Sequence, residues 1–403
     1  NIFHTLNTIL VFILTVRLIG HAKPGKDRLD KEAIIAGSVT SILFGIHPLH
    51  VESVVWVTER KDVLYSFFFL LSILAYIKYV SMNSKRINYY AATLILFIFA
   101  LMSKLMAVSL PIVLLILDFY PFRRFKIETG PRNILGVLLE KLPFLLSALP
   151  LSILIVLPHP SRAGINIFIQ EIFTEGIFLA AHAYIFYLAK ILLPFNLAIV
   201  YPSVTNVNFL SFEYMGALLL FAVITFFSIR SLKGDKRFAV IWFYYVATLM
   251  PVIGIDKVSV FAAANRYTYL PSLGPFLLAG VGIAAIFERC SRRQYQVFII
   301  TALLLILALL GITTKQIALW KDSITIWSHE IKIFPGVEVA YYNRGNAYGA
   351  LGNYQLSIND FDRVIELNPK KSKAFNNRGT AYYAMENIDQ AIKDYKKAVE
   401  LDP

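Results

Sequence analysis

The sequence HPLHVESVVWVTERKD, from His47 to Asp62, lies between an apolar run that ends at Ile46 and another that begins at Val63. It holds two histidines, three carboxylates and two cations. Ionisable groups are costly inside hydrocarbon, so at a membrane boundary they lie either in a solvated loop or in a site kept for function. The density of such groups here favours a functional site.

A helical conformation would divide this stretch into two faces. His50 and Ser53 would share one face, and Glu52, Trp56 and Arg60 would share the other. One face would then insert into the membrane while the other stays in water. An interfacial amphipathic helix anchored by Trp56 is therefore the alternative to a functional site, and residue types alone leave the choice open.

The composition outside this stretch is that of a polytopic membrane protein. Hydrophobic residues make up 57% of the chain and charged residues only 16%, unlike a soluble domain of this length. The net charge of +13 indicates membrane topology rather than nucleic-acid binding, because no basic and aromatic RNA-binding motif accompanies it. We expect a lipid membrane as partner and no nucleic acid. The single cysteine, Cys290, excludes an intrachain disulfide.

Apolar runs recur along the first three quarters of the chain. A membrane-spanning helix needs about 20 residues, so the runs 33–46, 89–102 and 107–120 must borrow neighbouring residues or belong to broken helices. The candidate spans are 1–20, 33–46, 63–80, 89–102, 107–120, 134–158, 177–199, 213–231, 238–255, 268–287 and 295–316.

The distribution of Lys and Arg among the connecting segments predicts the orientation. Segments rich in these residues should face the cytoplasm. The stretch 47–62, the interruption at Lys104, the segment 256–267 and everything after residue 316 then lie outside the cytoplasm. The segments 159–176 and 201–212 are also predicted outside, and the single apolar run 177–199 joins them. We therefore expect this run to be re-entrant or interfacial.

The hydropathy of the chain falls after Trp320, and the residues beyond it no longer form apolar runs. The word Asn-Arg-Gly occurs twice, with its glycine at Gly345 and at Gly379, a separation equal to the tetratricopeptide period. We expect segment 321–335 to supply a helix that packs on the first repeat. The predicted fold is all-α, with a polytopic membrane domain over 1–316, a connecting helix over 317–335 and tetratricopeptide repeats over 336–369 and 370–403.

Several common catalytic motifs are absent from the sequence. No phosphate-binding Gly loop, no G-x-S-x-G and no H-E-x-x-H occurs, so nucleotide hydrolysis, elbow-serine hydrolysis and zincin chemistry have no support. His47, His50 and Glu52 have the residue types of a metal site, but Pro48 interrupts their helical spacing. We predict no metal site there.

Four residues are nearly all of the cations in the predicted outer loops, and each adjoins an interface. Cations at one depth suit the phosphate of a lipid head group, held by charge-assisted hydrogen bonds. Isolated cations that snorkel to the interface would look the same in sequence. The four residues are Arg60, Lys61, Lys104 and Arg266.

A series of short sequence motifs, in a fixed order along the chain, gives the chain a family resemblance. It closely resembles bacterial members of the transmembrane and tetratricopeptide-repeat-containing family, whose animal relatives are protein O-mannosyltransferases of the GT-C superfamily. The motifs are HPLHVESVVWVTERKDVL at 47–64, SKLMAVSLP at 103–111, DFYP at 118–121, PVIG at 251–254 and NRYTYLP at 265–271.

The resemblance implies an inverting transfer of a sugar, mannose or similar, from a polyprenyl-phosphate donor to a protein Ser or Thr hydroxyl. It implies a bacterial cytoplasmic membrane, with extracytoplasmic repeats that bind acceptor or partner polypeptides. The resemblance implies a lipid-linked sugar donor and no certain cofactor, and the need for a divalent metal stays open. The candidate catalytic residues are His50, Glu52 and Asp62, and the candidate substrate-binding residues are His47, Trp56, Arg60, Lys61, Lys104, Arg266 and Tyr267.

The chain departs from the family pattern in two ways. Family members carry the catalytic acid in the first extracytoplasmic loop, and this chain is expected to begin at the second span, with the main base upstream of residue 1 and further repeats beyond residue 403. Asn265 stands where relatives usually carry an acid, and Leu105 where they carry Pro or Glu. A non-catalytic membrane-anchored scaffold for envelope complexes, or a transporter of lipid-linked sugar, therefore remains an alternative.

Overall fold

The computed structural model describes residues 2–22, 30–82, 86–125, 131–156, 176–202, 211–253, 261–288 and 291–402. These residues are almost entirely helical, which confirms the predicted all-α class. The chain forms two compact units. The first comprises Asn1–Leu197 and Ser203–Thr313, and the second comprises Ala198–Pro202 and Thr314–Pro403.

The first unit is built from apolar helices that follow the predicted spans. A short strand, β2 (Phe261–Ala263), precedes its last helices, and β1 (Tyr201–Pro202) belongs to the second unit. The helices are α1 (Ile2–Ala22), α2 (Lys31–Ile46), α3 (Val51–Val55), α4 (Arg60–Ser81), α5 (Arg86–Ser103), α6 (Leu110–Phe119), α7 (Pro131–Leu139), α8 (Leu142–Val156), α9 (Ile177–Leu192), α10 (Phe212–Ser231), α11 (Arg237–Leu249), α12 (Leu273–Phe287) and α13 (Arg292–Leu319).

Within the described residues, five helices are long and apolar enough to cross a membrane, or six if a bent pair counts as one span. The bent pair joins Lys31–Ile46 to Pro48–Val55 at an angle of 49°, which confirms that the short run 33–46 belongs to a broken helix. The five are Ile2–Ala22, Val57–Ser81, Arg86–Ser103, Phe212–Ser231 and Arg293–Leu319. These helices indicate an integral membrane protein.

Some predicted spans differ from the structure. Residues 89–102 lie in α5, which is long enough without a break. The predicted span 134–158 is wrong as one helix, because a turn at Glu140 and Lys141 separates α7 from α8. Lys141 Nζ lies 2.6 Å from Asp118 and Arg124 Nη1 lies 2.7 Å from Glu140, so ionic contacts with residues earlier in the chain hold the turn.

The predicted span 177–199 is also shorter than expected. Helix α9 ends at Leu192, two residues before Pro194, because proline disfavours the helical conformation in the residue before it. Lys190 Nζ donates hydrogen bonds to the carbonyls of Phe195 and Asn196, which follow the helix. Of the segments predicted outside the cytoplasm, 159–176 lies almost entirely outside the described residues, and 256–267 is described only from Phe261 onward.

Small residues let two helices of the first unit pack closely. A Cβ atom at Gly280 of α12 would lie 2.6 Å from the carbonyl oxygen of Ala36 and 2.5 Å from Thr40 Oγ1, both on α2. Ala33 and Ala284 continue this contact and are fully buried. Close backbone approach through small residues is how membrane helices gain packing energy, because lipid supplies no hydrophobic driving force between them.

The second unit contains the repeats. Its helices are α14 (Ser323–Ile333), α15 (Glu338–Ala350), α16 (Tyr354–Leu367), α17 (Ser372–Ala384) and α18 (Ile388–Leu401). The predicted helix within 321–335 is confirmed as α14, and Arg344 Nη1 on α15 donates a hydrogen bond to Ser328 Oγ on it at 3.1 Å. A Cβ at Gly345 would lie 3.3 Å from the Phe361 ring, so glycine allows α15 to approach α16.

Candidate functional site

The stretch from His47 to Asp62 is not one helix. Pro48 starts a single 3-10 turn that ends at His50, α3 follows, and Trp56 adopts an extended conformation with φ −73° and ψ 115°. Residues 57–59 form another 3-10 turn, and α4 begins at Arg60. The two continuous faces expected for a helix are therefore interrupted at Trp56.

Arg266 and Glu52 form the first ion pair of the site. Arg266 lies in a 3-10 turn over Asn265–Thr268, and its Nη1 donates to Glu52 Oε1 at 2.6 Å. Its Nε lies 3.6 Å from Glu59 Oε1. One guanidinium thus contacts two carboxylates of the stretch 47–62, although Glu52 and Arg266 are 214 residues apart in sequence.

Lys104 and Asp62 form the second ion pair. Lys104 lies between α5 and the following 3-10 turn, in an extended conformation. Its Nζ contacts Asp62 Oδ1, and Ser53 Oγ donates to Asp62 Oδ2 at 3.1 Å. The break in the helix therefore presents the lysine to the first turn of α4.

Aromatic rings join the two ion pairs. The ring of Tyr267 lies 5.1 Å from the Arg266 guanidinium carbon and 5.3 Å from Lys104 Nζ. The ring of Trp56 lies 5.5 Å from the Arg266 guanidinium carbon. Cations over aromatic faces are attracted by the ring quadrupole. We call the five charged residues the acid–cation cluster; they are Glu52, Glu59, Asp62, Lys104 and Arg266.

The acids of the cluster lie deeper than its cations. Glu52, Glu59 and Asp62 are 3%, 4% and 0% exposed. The side chains of Lys104 and Arg266 are 12% and 20% exposed. Among the residues that the structure describes, no donor reaches Glu52 Oε2 or Glu59 Oε2, and both atoms are buried. The two cations therefore lie nearer the surface than the acids. The unpaired oxygens of Glu52 and Glu59 are buried.

Glu59 was not among the predicted site residues, although it is a carboxylate of the same stretch. Its spacing from Glu52 and Asp62 was visible in sequence, but its contact with Arg266 was not. Lys61 is half exposed and lies 3.5 Å from Glu59, at the edge of the cluster. Arg60 is exposed at the start of α4.

The two histidines lie in the protein core rather than in the cluster. His47 Nε2 hydrogen-bonds with the carbonyl of Ile191 at 3.0 Å. His50 hydrogen-bonds with the carbonyl of Phe44 at 2.8 Å and with Ser272 Oγ at 2.9 Å, so both of its ring nitrogens are engaged. These contacts anchor the stretch 47–62 to α2, to α9 and to Ser272, the residue that precedes α12.

A separate group of carboxylates has the spacing of a metal site. Among the described residues, ligand atoms of Asp30, Glu32 and Glu288 lie within 4.8 Å of one another. Arg237 Nη1 lies 3.0 Å from Glu32 Oε1 and supplies positive charge there. His47, His50 and Glu52 do not form such a group in this part of the chain, since their polar atoms face different partners.

The helices and repeats together define an α-helical membrane protein with a tetratricopeptide unit. The tetratricopeptide repeat family pattern matches residues 339–371 and 372–403, which confirms the predicted repeats. The chain is similar to a Caenorhabditis elegans protein O-mannosyl-transferase, with 24% identity over 317 residues. The match covers 77% of this chain and 43% of that protein, so the chain spans less than half the length of this relative.

Proposed function

We propose that this protein transfers a sugar from a polyprenyl-phosphate donor to a hydroxyl of a polypeptide on the extracytoplasmic side of a membrane. The observation that carries the proposal is the acid–cation cluster, in which Asp62 holds Lys104, Glu52 holds Arg266, and both cations lie near the Tyr267 ring. The similarity to a protein O-mannosyl-transferase supports the same reaction class. The tetratricopeptide repeats would bind the acceptor polypeptide.

The charges of the cluster suit each step of such a transfer. The acceptor oxygen attacks the sugar C1 atom while a carboxylate takes the hydroxyl proton, and the C1–O bond to phosphate breaks with its electrons leaving on the phosphate. Lys104 and Arg266 would stabilise that developing charge from fixed positions. Within the described residues, Glu52 Oε2 is buried and receives no hydrogen bond, so the carboxylate keeps an unused acceptor position that a hydroxyl would reach only after the Glu52 side chain moves.

Removal of either outer cation tests this proposal. We expect Lys104→Met and Arg266→Met to lower kcat/KM for polyprenyl-phosphate mannose about tenfold or more, because a charge-assisted hydrogen bond contributes about 1.5–3 kcal/mol. Transfer to a protein acceptor would be measured with full-length protein in detergent. Lys78→Met is the matched control, since it removes an exposed lysine from the far end of α4.

The same assay separates transfer from a scaffold or transporter role. A wild-type protein that binds its partner polypeptide but transfers no sugar would contradict the proposal and favour the scaffold. Movement of the intact donor between leaflets of a vesicle, without transfer, would favour the transporter. Unchanged turnover in both cation variants would remove Lys104 and Arg266 from the reaction.

A further inference from the structure

Glu59 is a buried carboxylate at a fixed backbone position. It ends the 3-10 turn Val57–Glu59, and its backbone N–H donates to the carbonyl of Trp56 at 3.0 Å. Its neighbours Thr58 and Arg60 are exposed, whereas Glu59 is only 4% exposed. A buried carboxylate is costly unless nearby charges or donors compensate it. The role of Glu59 therefore depends on the groups that its carboxylate contacts.

The Glu59 carboxylate contacts two cations. Its Oε1 lies 3.5 Å from Lys61 Nζ and 3.6 Å from Arg266 Nε, and both distances exceed those of a charge-assisted hydrogen bond. The Lys61 side chain is 46% exposed, so solvent screens its attraction to Glu59. The Arg266 side chain is 20% exposed and is screened less. The charge of Glu59 therefore acts mainly on Arg266.

Glu59 and Glu52 contact different nitrogens of the Arg266 guanidinium. Glu52 Oε1 accepts a hydrogen bond from Nη1 at 2.6 Å, and Glu59 Oε1 faces Nε. A guanidinium is a rigid planar fork with five N–H donors, so contacts at two nitrogens fix its rotation. Within the described part of the chain, Nη2 makes no hydrogen bond. The two acids therefore hold the guanidinium and leave Nη2 available to a ligand.

We propose that Glu59 is a positioning residue that orients the Arg266 guanidinium toward an oxygen of the donor phosphate. Glu52 holds only Nη1, and the second contact at Nε keeps the guanidinium from turning about that hydrogen bond. A donor group that is already oriented needs no reorganisation when negative charge develops on the phosphate. Glu59 does not touch the substrate in this role, so the role is compatible with its burial. This role rests on the proposed function, because it concerns how that site holds one of its two cations.

A cycle of variants of the full-length protein in detergent tests this role. Glu59→Gln keeps the shape of the side chain without its charge, and we expect kcat/KM for polyprenyl-phosphate mannose to fall about tenfold. The same change in an Arg266→Met protein should have no further effect, because no guanidinium is left to orient. Glu59→Asp keeps the charge and should retain more activity than Glu59→Gln. Glu32→Gln is the matched control, which should leave kcat/KM unchanged, since Glu32 is also buried and contacts Arg237 Nη1 at 3.0 Å.

Binding of polyprenyl phosphate, which carries no sugar, separates this role from the proposed function. With a fluorescent polyprenyl phosphate, we expect Glu59→Gln to weaken binding about tenfold in the wild-type background and not in the Arg266→Met background. This result in a protein that transfers no sugar would support the positioning role and contradict only the proposed function. Tighter or unchanged binding in Glu59→Gln, equal losses in both backgrounds, or a wild type that binds no polyprenyl phosphate would overturn the positioning role.

Discussion

Each partly buried cation of the acid–cation cluster contacts a carboxylate that is almost fully buried. Asp62 is fully buried at the start of α4, and its charge is balanced by Lys104 and by the Ser53 hydroxyl. A buried carboxylate without such partners would cost several kcal/mol. The acids therefore fix the cations in place, which a site for a phosphate requires before the phosphate arrives.

The first prediction separates the structural role of this ion pair from its proposed role in transfer. Asp62→Ala leaves the Lys104 ammonium without its carboxylate, and we expect the free energy of unfolding to fall by about 3 kcal/mol. Asp62→Leu combined with Lys104→Met replaces the pair with apolar groups and should recover most of that loss. Thermal unfolding in detergent measures both variants.

The same double variant should remain inactive in sugar transfer although its stability is recovered. Activity that returns together with stability would show that the charges only support the fold. A double variant that is less stable than Asp62→Ala would instead contradict the view that a well-packed apolar pair can replace these charges.

At the scale of elements, the site depends on places where helices are interrupted. Lys104 lies in the gap after α5, Arg266 lies in the turn before α12, and Trp56 separates α3 from α4. A side chain in such a gap is not constrained to the spacing of a helix face. The gap after α5, the turn before α12 and the break between α3 and α4 together bring the charged residues close to one another.

The sequence predicts these interruptions better than it predicts their partners. Pro48 and the lone Lys104 within apolar runs are local signals, so the broken helix at 33–46 and the gap at Lys104 were expected. The pairing of Arg266 with Glu52 is not local, because the two residues are 214 positions apart. The turn at Glu140 was missed for the same reason, since its partner Arg124 lies in an earlier loop.

The second prediction concerns the contact between α2 and α12. Gly280→Ala would place a methyl group 2.6 Å from the Ala36 carbonyl oxygen, so the helices must separate. We expect a loss of about 1–3 kcal/mol in the free energy of unfolding. Thermal unfolding measures the change. Gly282→Ala is the control on the same helix, because its Cβ would meet nothing within 4 Å.

A result in which both alanine variants unfold at the wild-type temperature would mean that α2 and α12 approach less closely than described. Equal losses in the two variants would point to backbone flexibility of α12 rather than to the contact. The close packing is supported only if Gly280→Ala lowers the unfolding temperature and Gly282→Ala does not.

At the scale of the whole molecule, the second unit combines distant parts of the chain. Residues 198–202 begin within the end of the apolar run 177–199, yet they belong to the unit that holds the repeats. The backbone N–H of Ile199 donates to Glu330 Oε2 on α14 at 2.8 Å. Local hydropathy could not predict this, because the segment reads as the end of a span and its partner lies 131 residues away.

The third prediction follows from the burial of Glu330. Burial raises the pKa of Glu330 to about 7 from 4.5, although the backbone N–H groups of Ile199 and Val200 oppose the shift. Between these values the folded protein holds a proton that the unfolded chain has released, so stability falls as pH rises from about 4.5 to about 7. Glu330→Gln removes the titration and should flatten this dependence.

Thermal unfolding of the full chain between about pH 5 and pH 8 measures the effect. The difference between wild type and Glu330→Gln is the informative quantity, because every other titrating group is common to both proteins. Asp322→Asn is the comparison, since Asp322 is exposed at the start of α14 and should leave the slope unchanged. A Glu330→Gln profile parallel to that of the wild type would mean that Glu330 is ionised and solvated in the folded protein. A Glu330→Gln profile that is flatter than the wild-type profile between about pH 5 and pH 7 would instead show that Glu330 is buried and protonated in the folded protein, where it accepts the hydrogen bond from the backbone of Ile199.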